Sequence, residues 1–304
     1  MCSAPGAFAP AGRRAGAVSR SKRAPATMRF GLHTPVGKGY EKAVTYAAEL
    51  GCRTIQFFSG NPRGFRITDP KPEAWARFAA LRREHDLLPS AIHTSYLVNL
   101  ATEREDHLAA SLALIAHDLA LASSGDIAYV NTHLGSYGRR ERADGHLQVC
   151  RMLSELLDAI RPGVYLVMEN SAGAGNLVGG TLEELGGFLR EVDHPQLAVC
   201  IDTAHAWAAG YKIDDAPGVE AFLDHVERDV GIARVKMLHV NDTLVPLGGQ
   251  RDRHHHIGEG LIGTGGFAAL LNHAELREKI AVLETPGERA EDERNVAALR
   301  SILR

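Results

Sequence analysis

Residues 197–205 read Leu-Ala-Val-Cys-Ile-Asp-Thr-Ala-His, and they carry the pattern that decides the fold. A short apolar run ends at Asp202 and gives way to a helical pattern, and comparable pairs of runs recur along the chain. The strand candidates are residues 29–34, 54–58, 89–94, 129–134, 164–169, 197–203, 235–240 and 280–285. The helix candidates lie near residues 38–50, 72–86, 103–122, 144–160, 181–192, 217–230, 265–273 and 288–303. This alternation predicts an α/β protein with the architecture of a (β/α)₈ TIM barrel.

A doubly wound open sheet is the alternative architecture for the same alternation. Such a sheet usually has a glycine-rich loop after its first strand, where it binds a dinucleotide. Residues 34–39 read Thr-Pro-Val-Gly-Lys-Gly, which fits that loop poorly. The barrel is therefore the favoured prediction.

Composition narrows the class of protein. The chain has 304 residues, of which 45% are hydrophobic and 23% charged, as in a globular domain. A net charge of −3 excludes a protein that coats DNA by charge alone. We find no apolar run of the ~18 to 20 residues that a membrane span needs, so no membrane partner is expected. The four cysteines form no Cys-x-x-Cys pair, which favours reduced thiols and a cytoplasmic location.

The N-terminal segment differs from the rest. Residues 1–27 are rich in Ala, Pro, Gly and Ser, carry four arginines and one lysine, and hold no acidic residue. They are interpreted as a disordered basic arm, an organelle transit peptide, or a product of an upstream start, because Met28 directly precedes the first strand. Residues 28–304 are predicted to form a single catalytic barrel domain.

Most strands are predicted to end in an acidic residue or a histidine. The strand-end residues are His33, His93, His133, Glu169, Asp202, His239 and Glu284. The C-terminal ends of all barrel strands open on one face, where the active site of such a barrel lies. Imidazole and carboxylate groups without thiolates favour zinc or manganese-type ions.

Three further residues enlarge this set. His205 lies just beyond strand six, and Asp252 and His254 project to the same side of an extended loop after strand seven. His255 and His256, which follow, are interpreted as solvated. Leaving out His33, the nine candidate ligands are His93, His133, Glu169, Asp202, His205, His239, Asp252, His254 and Glu284. These are too many for one ion; with one carboxylate bridging, they fit three ions per chain, zinc throughout or Mn²⁺ in part.

Several longer motifs now carry a resemblance. They are residues 93–100 (HTSYLVNL), 131–136 (NTHLGS), 169–173 (ENSAG), 200–211 (CIDTAHAWAAGY), 239–242 (HVND) and 252–260 (DRHHHIGEG). This motif set resembles that of the endonuclease IV family, the zinc-dependent apurinic/apyrimidinic endonucleases of DNA base-excision repair. The resemblance covers the chain from about Met28 to its end, in order and with compatible spacing.

The resemblance implies an activity and a layout for the metal ions. The enzyme would hydrolyse the phosphodiester on the 5′ side of an abasic site and leave a 3′-hydroxyl. His93 and His133 would hold one zinc, and Glu169, the only bridging candidate, would link it to a second that Asp202, His239 and Glu284 complete. His205, Asp252 and His254 would hold the third. Closely spaced dications lower the pKa of a bound water towards ~7 and neutralise the phosphate, so Glu169 is the only catalytic side chain nominated. His33 and Asn241 are interpreted as orienting groups rather than ligands.

The resemblance also implies DNA contacts. Residues 59–65 resemble the family's DNA-penetrating loop, in which Asn61, Arg63 and Phe65 would contact or wedge the duplex. Tyr96 resembles the tyrosine that inserts beside the lesion. The expected partner is double-stranded DNA with abasic sites, bound by a monomer. Leu244 stands where the family usually has a lysine, so weaker DNA affinity or a shifted substrate preference is expected.

A sugar isomerase or epimerase of the xylose-isomerase-like barrels is the alternative function. Those enzymes hold one or two divalent ions with a Glu-Asp-His-Glu quartet, which Glu169, Asp202, His239 and Glu284 would supply. They have no use for a further group built from His205, Asp252 and His254. That third group is the feature that discriminates between the two functions.

Overall fold

The computed structural model describes Met1 and residues 28–303, and residues 28–303 build a closed barrel of parallel strands. The strands are β1 (Arg29–His33), β2 (Thr54–Phe58), β3 (Ala91–His93), β4 (Tyr129–Thr132), β5 (Tyr165–Glu169), β6 (Leu197–Asp202), β7 (Val235–His239) and β8 (Ile280–Leu283). Each strand pairs with its neighbour in sequence, and β8 closes the barrel on β1. The predicted TIM barrel is confirmed, and the open-sheet alternative is wrong. The expectation for residues 2–27 lies outside the described residues.

Helices surround the barrel. They are α1 (Tyr40–Glu49), α2 (Pro72–Glu84), α3 (Glu105–Gly125), α4 (Arg142–Asp158), α5 (Leu182–Val192), α6 (Thr203–Ala208), α7 (Ala216–Asp229), α8 (Gly263–Leu271) and α9 (Arg289–Ile302). All predicted helices are present within a few residues of their predicted bounds. The short α6 was not predicted, because the sequence pattern did not separate it from β6.

The interior of the barrel explains why charged groups meet at its mouth. Apolar side chains fill the interior, and they are Ala91, Val167, Ala198, Cys200, Met237, Ile280 and Val282. Side chains alternate along a strand, so the residue two positions later lies on the same side. At the C-terminal ends of five strands those residues are His93, Glu169, Asp202, His239 and Glu284. The predicted site therefore lies directly above the apolar barrel core.

Among the helices of the described chain, one passes the test of length and composition for crossing a membrane, and that helix is α3. In the barrel it packs beside α2 and α4 and against β3 and β4. Its buried face includes the polar residues Ser111 and Asp118 beside Leu114 and Ile115. Its apolar composition follows from this packing between the barrel and the neighbouring helices.

Candidate metal centre

The first group of ligand atoms belongs to β3, β4 and β5. His93 ends β3, His133 follows the last residue of β4, and Glu169 ends β5. Oε2 of Glu169 lies 3.4 Å from Nε2 of His93 and 3.7 Å from Nε2 of His133. One ligand atom from each residue lies within 4.8 Å of the other two. The group can therefore hold one ion.

The second group includes Asp202, His205 and His254, and it begins where β6 turns into α6. Asp202 is the N-cap of α6, and its Oδ1 accepts a hydrogen bond of 2.8 Å from the backbone N–H of His205. This turn brings the His205 ring back over the mouth, where its Nε2 lies 3.3 Å from Oδ1 of Asp252. Nε2 of His254 lies 3.3 Å from the same oxygen and 3.5 Å from Oδ2 of Asp202. His205, Asp252 and His254, which are the residues expected to hold the third ion, thus converge.

The loop that supplies Asp252 and His254 is held in place by Asp242, a role that the sequence analysis missed. The backbone N–H groups of Asp242 and His255 each donate to the carbonyl oxygen of the other residue. The buried Asp242 carboxylate also accepts hydrogen bonds from the backbone N–H groups of Gly258, Gly260 and Ile262, each 3.0 Å long. Because one carboxylate orders both ends of this loop, Asp252 and His254 are fixed above the mouth.

The third group contains Glu169, Asp202, His239 and Glu284, with one ligand atom of each within 4.8 Å of the others. Nδ1 of His239 lies 3.1 Å from Oε1 of Glu169 and 3.2 Å from Oε2 of Glu284. Gln56, which the sequence analysis also missed, lies buried beneath this group. Its Oε1 accepts a 3.0 Å hydrogen bond from Nε2 of His239, and its Nε2 donates a 2.7 Å bond to Oε1 of Glu284. A polar residue at an inward position of a barrel strand was the signal that could have found it.

His33 and Asn241 lie against these residues from outside the groups. Nδ1 of His33 is 3.1 Å from Oε1 of Glu284, and Nδ2 of Asn241 donates a 2.6 Å hydrogen bond to Oδ2 of Asp202. Asn131 makes the equivalent 2.6 Å bond to Oε2 of Glu169. Such bonds orient carboxylates, which is the role expected for His33 and Asn241.

Two carboxylates are shared between groups. Glu169 belongs to the first and third groups, and Asp202 belongs to the second and third. The expectation that Glu169 is the only bridging candidate is therefore too narrow. The reason is the position of His254, whose Nε2 lies close to Oδ2 of Asp202. The three groups form one continuous cluster.

The histidines direct ring nitrogens with free lone pairs toward this cluster. Nδ1 of His93 donates to the Thr94 carbonyl, Nδ1 of His205 to the Asn170 carbonyl, and Nδ1 of His254 to the Glu284 carbonyl, at 2.7, 2.9 and 3.2 Å. A nitrogen that donates carries the proton, so the other nitrogen of the neutral ring keeps its lone pair for a metal ion.

The cluster also contains buried polar atoms that no described residue satisfies. These atoms are Oε1 of Glu169, Nε2 of His205, Nδ1 of His239 and Nε2 of His254. An unpaired buried polar atom costs about 1–3 kcal/mol, so four of them in one place require a partner. Two ligand atoms at ~2.0–2.1 Å from a tetrahedral zinc lie about 3.3–3.4 Å apart, which matches the spacings around Asp252 and Glu169. The residues present fit bound divalent cations.

The electrostatics of the carboxylates agree with this donor chemistry. Burial raises the pKa of the Glu169 carboxyl, but the neighbouring His133 and His239 outweigh burial and hold its pKa well below the usual range. Asp252 follows the same pattern, with His205 lowering its pKa to about 2 against the effect of burial. For His133, burial dominates and lowers the pKa. At neutral pH the carboxylates are therefore ionised, as metal ligands must be.

The predicted DNA-contact residues lie at the rim of the mouth. Arg63 is exposed, and its backbone N–H donates a 3.0 Å hydrogen bond to Oδ1 of Asn61, which shapes the turn. Tyr96 is 54% exposed, and its ring contacts those of His93 and His133. Phe65 instead packs against the hydrophobic core, with its ring 5.1 Å from that of His107. The structure thus brings Asn61, Arg63 and Tyr96 to the surface beside the cluster and gives Phe65 a packing role.

Comparison with known proteins gives this geometry its context. Residues 44–304 match the profile of the family described as xylose isomerase-like TIM barrel. The chain is 38% identical over 278 residues to the probable endonuclease 4 of Natranaerobius thermophilus, covering 91% of this chain and 98% of that protein.

Solved structures point the same way. The crystal structure of endonuclease IV from Thermus thermophilus superposes with a TM-score of 0.80 at 35% identity, covering 90% of this chain and 98% of that one. A D-tagatose 3-epimerase-like protein superposes with a TM-score of 0.72 at 19% identity, covering 90% and 97%, which shows a shared fold alone. The chain belongs to the endonuclease IV family of the xylose isomerase-like TIM barrels.

Proposed function

We propose that this protein is an apurinic/apyrimidinic endonuclease of base-excision repair. It hydrolyses the phosphodiester on the 5′ side of an abasic site in double-stranded DNA and leaves a 3′-hydroxyl. The observation that carries this proposal is the convergence of His205, Asp252 and His254 beside the quartet at the barrel mouth. An isomerase or epimerase has no use for this additional group.

Three zinc ions, or Mn²⁺ in part, are the cofactors that this arrangement would take. His93, His133 and Glu169 would hold the first, and Glu169, Asp202, His239 and Glu284 the second. His205, Asp252 and His254 would hold the third, with Asp202 beside it. When bound, such ions supply charge that neutralises the phosphodiester and lower the pKa of water for attack.

The chain's own residues prepare the site for that chemistry. Asn131, Gln56 and Asn241 each donate a hydrogen bond to a ligand carboxylate, so the carboxylates are fixed before substrate arrives. Glu169 and Asp202 link the groups, so that several ions can lie close together. Preorganised charge of this kind needs no reorganisation during the reaction.

The rim residues account for recognition of the lesion. The Pro62 carbonyl accepts hydrogen bonds from the Tyr96 backbone N–H and the Ser95 hydroxyl, at 3.0 and 2.8 Å. These bonds couple the loop that carries Arg63 to the segment that carries Tyr96, so both reach the DNA as one unit. An abasic nucleotide lacks stacking partners and costs less to extrude than an intact one, which favours lesion selectivity.

One experiment tests the proposal against its alternative. Zinc-loaded protein is incubated in parallel with a duplex that holds one synthetic abasic site, with the undamaged duplex, and with D-tagatose as a ketohexose probe. We expect a single incision 5′ to the abasic site, no cutting of the intact strand, and no epimerised sugar. Turnover of the sugar without incision would support the isomerase or epimerase function instead.

A further inference from the structure

A second kind of donor cluster lies on the outer layer of the barrel, away from the mouth. His146 and Cys150 occupy positions i and i+4 of α4, so their side chains share one face of the helix. Glu191, near the end of α5, faces them across the groove between the two helices. The proposed nuclease site uses none of these three residues.

The three side chains are in direct contact. Nε2 of His146 lies 2.7 Å from Oε1 of Glu191, and Sγ of Cys150 lies 3.5 Å from Oε2 of the same carboxylate. One ligand atom of each residue lies within 4.8 Å of the other two. A sulfur and an oxygen bound to one tetrahedral zinc lie about 3.5–3.6 Å apart, which the observed separation of Sγ and Oε2 matches.

The scaffold fixes the histidine of this cluster. The ring of His146 stacks on that of Phe188, with centroids 4.5 Å apart and an interplanar angle of 17°. Gly187 leaves the space that the ring occupies, because a Cβ there would lie 3.2 Å from Cε1 of His146. Donors held on helices by ring packing lose little freedom when an ion binds.

The groove is open and rich in acidic groups. It encloses about 660 Å³ and is lined by Cys150 and Glu191 together with Asp144, Glu155 and Asp158, against the two cations Arg140 and Arg151. An excess of carboxylates raises the local concentration of cations. Solvent reaches the groove, so an ion can enter without disturbing the barrel.

We propose that His146, Cys150 and Glu191 form a peripheral site for a thiophilic divalent ion of the Zn²⁺ class. One imidazole nitrogen, one thiolate and one carboxylate oxygen are a donor set of zinc sites, and water takes the remaining position. Binding displaces the proton of the Cys150 thiol, which leaves to solvent, and His146 binds through Nε2 as the neutral ring with its proton on Nδ1. This site is separate from the ions at the mouth and is not required for incision.

Cobalt provides the test, because Co²⁺ bound to a thiolate shows a sulfur-to-metal charge-transfer band. The proposed mouth ligands include no cysteine, so this band reports the peripheral site even if Co²⁺ also enters the mouth. Full-length protein is loaded with three equivalents of zinc, enough for the groups at the mouth alone, and is then titrated with CoCl₂ while the near-ultraviolet absorbance is followed. We expect the band to saturate at about one equivalent.

Variants assign the band to its ligands. Cys150→Ser should abolish it, whereas Cys52→Ser, which changes a buried thiol elsewhere, should leave it intact. Glu191→Gln keeps the thiol and should weaken cobalt binding by at least about tenfold, since even outer-shell changes cost about 10–100-fold in metal affinity. Cys150→Ser should incise abasic DNA at the wild-type rate. No band in the wild-type protein, or a band that survives Cys150→Ser, would overturn the proposal.

Discussion

At the scale of single residues, His254 offers the cleanest test of the metal count. Its Nε2 faces Asp202 and Asp252, and it comes from a loop rather than from a barrel strand. We expect wild-type protein to carry about three ions at the mouth and His254→Ala to lose about one while the barrel stays folded. Mass spectrometry of the native protein measures the number of ions per chain, and circular dichroism checks folding. The zinc concentration is kept too low to fill the peripheral site.

His255→Ala is the matched control, because His255 lies in the same loop but outside the three groups. It should keep the full complement of ions. One or two ions in wild-type protein, without further loss in His254→Ala, would favour the isomerase or epimerase function.

Leu244 is a second residue whose effect can be measured. Its side chain is 61% exposed in the loop after β7, where the family usually has a lysine. Leu244→Lys adds one cation for a DNA phosphate, so we expect tighter binding and a salt dependence steeper by about one unit. Fluorescence anisotropy at several salt concentrations measures both. Leu147→Lys, on the exposed face of α4, is the control, and an equal gain there would show that the effect is not local.

The sequence predicted the positions of the proposed ligands better than the residues that support them. Five of the proposed ligands could be predicted because each closes or directly follows a strand, and strand ends in a barrel share one face; they are His93, Glu169, Asp202, His239 and Glu284. Gln56 and Asp242 were missed because their roles depend on buried hydrogen bonds to residues far away in sequence. Periodicity shows which side a residue faces and does not show which partner it meets.

At the scale of elements, the loop between β2 and α2 is tied to α3 at both of its ends. Ser59 donates to the buried Asp118 carboxylate, and Nε2 of His117 lies 2.9 Å from Oδ1 of Asp69. Asn61 and Arg63 lie between these two ties. The position of the predicted DNA-contact loop is therefore set by two adjacent residues of one helix.

His117→Ala removes one of the ties and leaves the metal groups untouched. A hydrogen bond of this kind contributes about 1 kcal/mol, so we expect affinity for abasic DNA to fall by up to about fivefold with unchanged ion content. His85→Ala, at the exposed end of α2, is the control. Equal affinity of His117→Ala and wild type would show that this tie does not position the loop.

The same tie should depend on pH. The Asp118 carboxylate, whose Oδ1 lies 3.6 Å from Nδ1 of His117, is the largest cause that raises the pKa of His117, and Asp69 adds to it. A raised pKa in the folded state contributes stability that is complete below the unfolded value of about 6.5 and is lost as pH rises through the folded value. Protease cleavage of the loop should therefore be faster above that value, and the difference should vanish in His117→Ala.

At the scale of the whole molecule, the described part of the barrel begins at Met28. Met28 is buried in the hydrophobic core directly before β1. Residues 1–27 supply none of the proposed ligands, so a protein that starts at Met28 should keep its zinc content and its thermal midpoint. Calorimetry and metal analysis of both forms measure this. A large loss of either quantity would show that the segment packs on the barrel.

The architecture could be predicted from alternation alone because each strand run is short and each helix pattern long. Helix α6 could not be, since its six residues are all buried and show no polar face. Its start depends on the Asp202 cap, and Asp202 had been interpreted only as a ligand. Because Asp202 is both the N-cap of α6 and a proposed ligand, the strand-end pattern alone did not reveal this helix.

In the function that we propose, the charge of Glu169 at the mouth enables cleavage beside an abasic site. The measurement is single-turnover cleavage of a labelled duplex with one abasic site by zinc-loaded wild type and Glu169→Gln, each with and without a chelator. Glutamine keeps the size of the side chain and removes its charge, so we expect the rate to fall at least ~100-fold while affinity for the abasic duplex changes far less. Chelator should abolish wild-type incision. An uncut abasic duplex with zinc-loaded wild type, or a Glu169→Gln rate equal to that of wild type, would contradict the account.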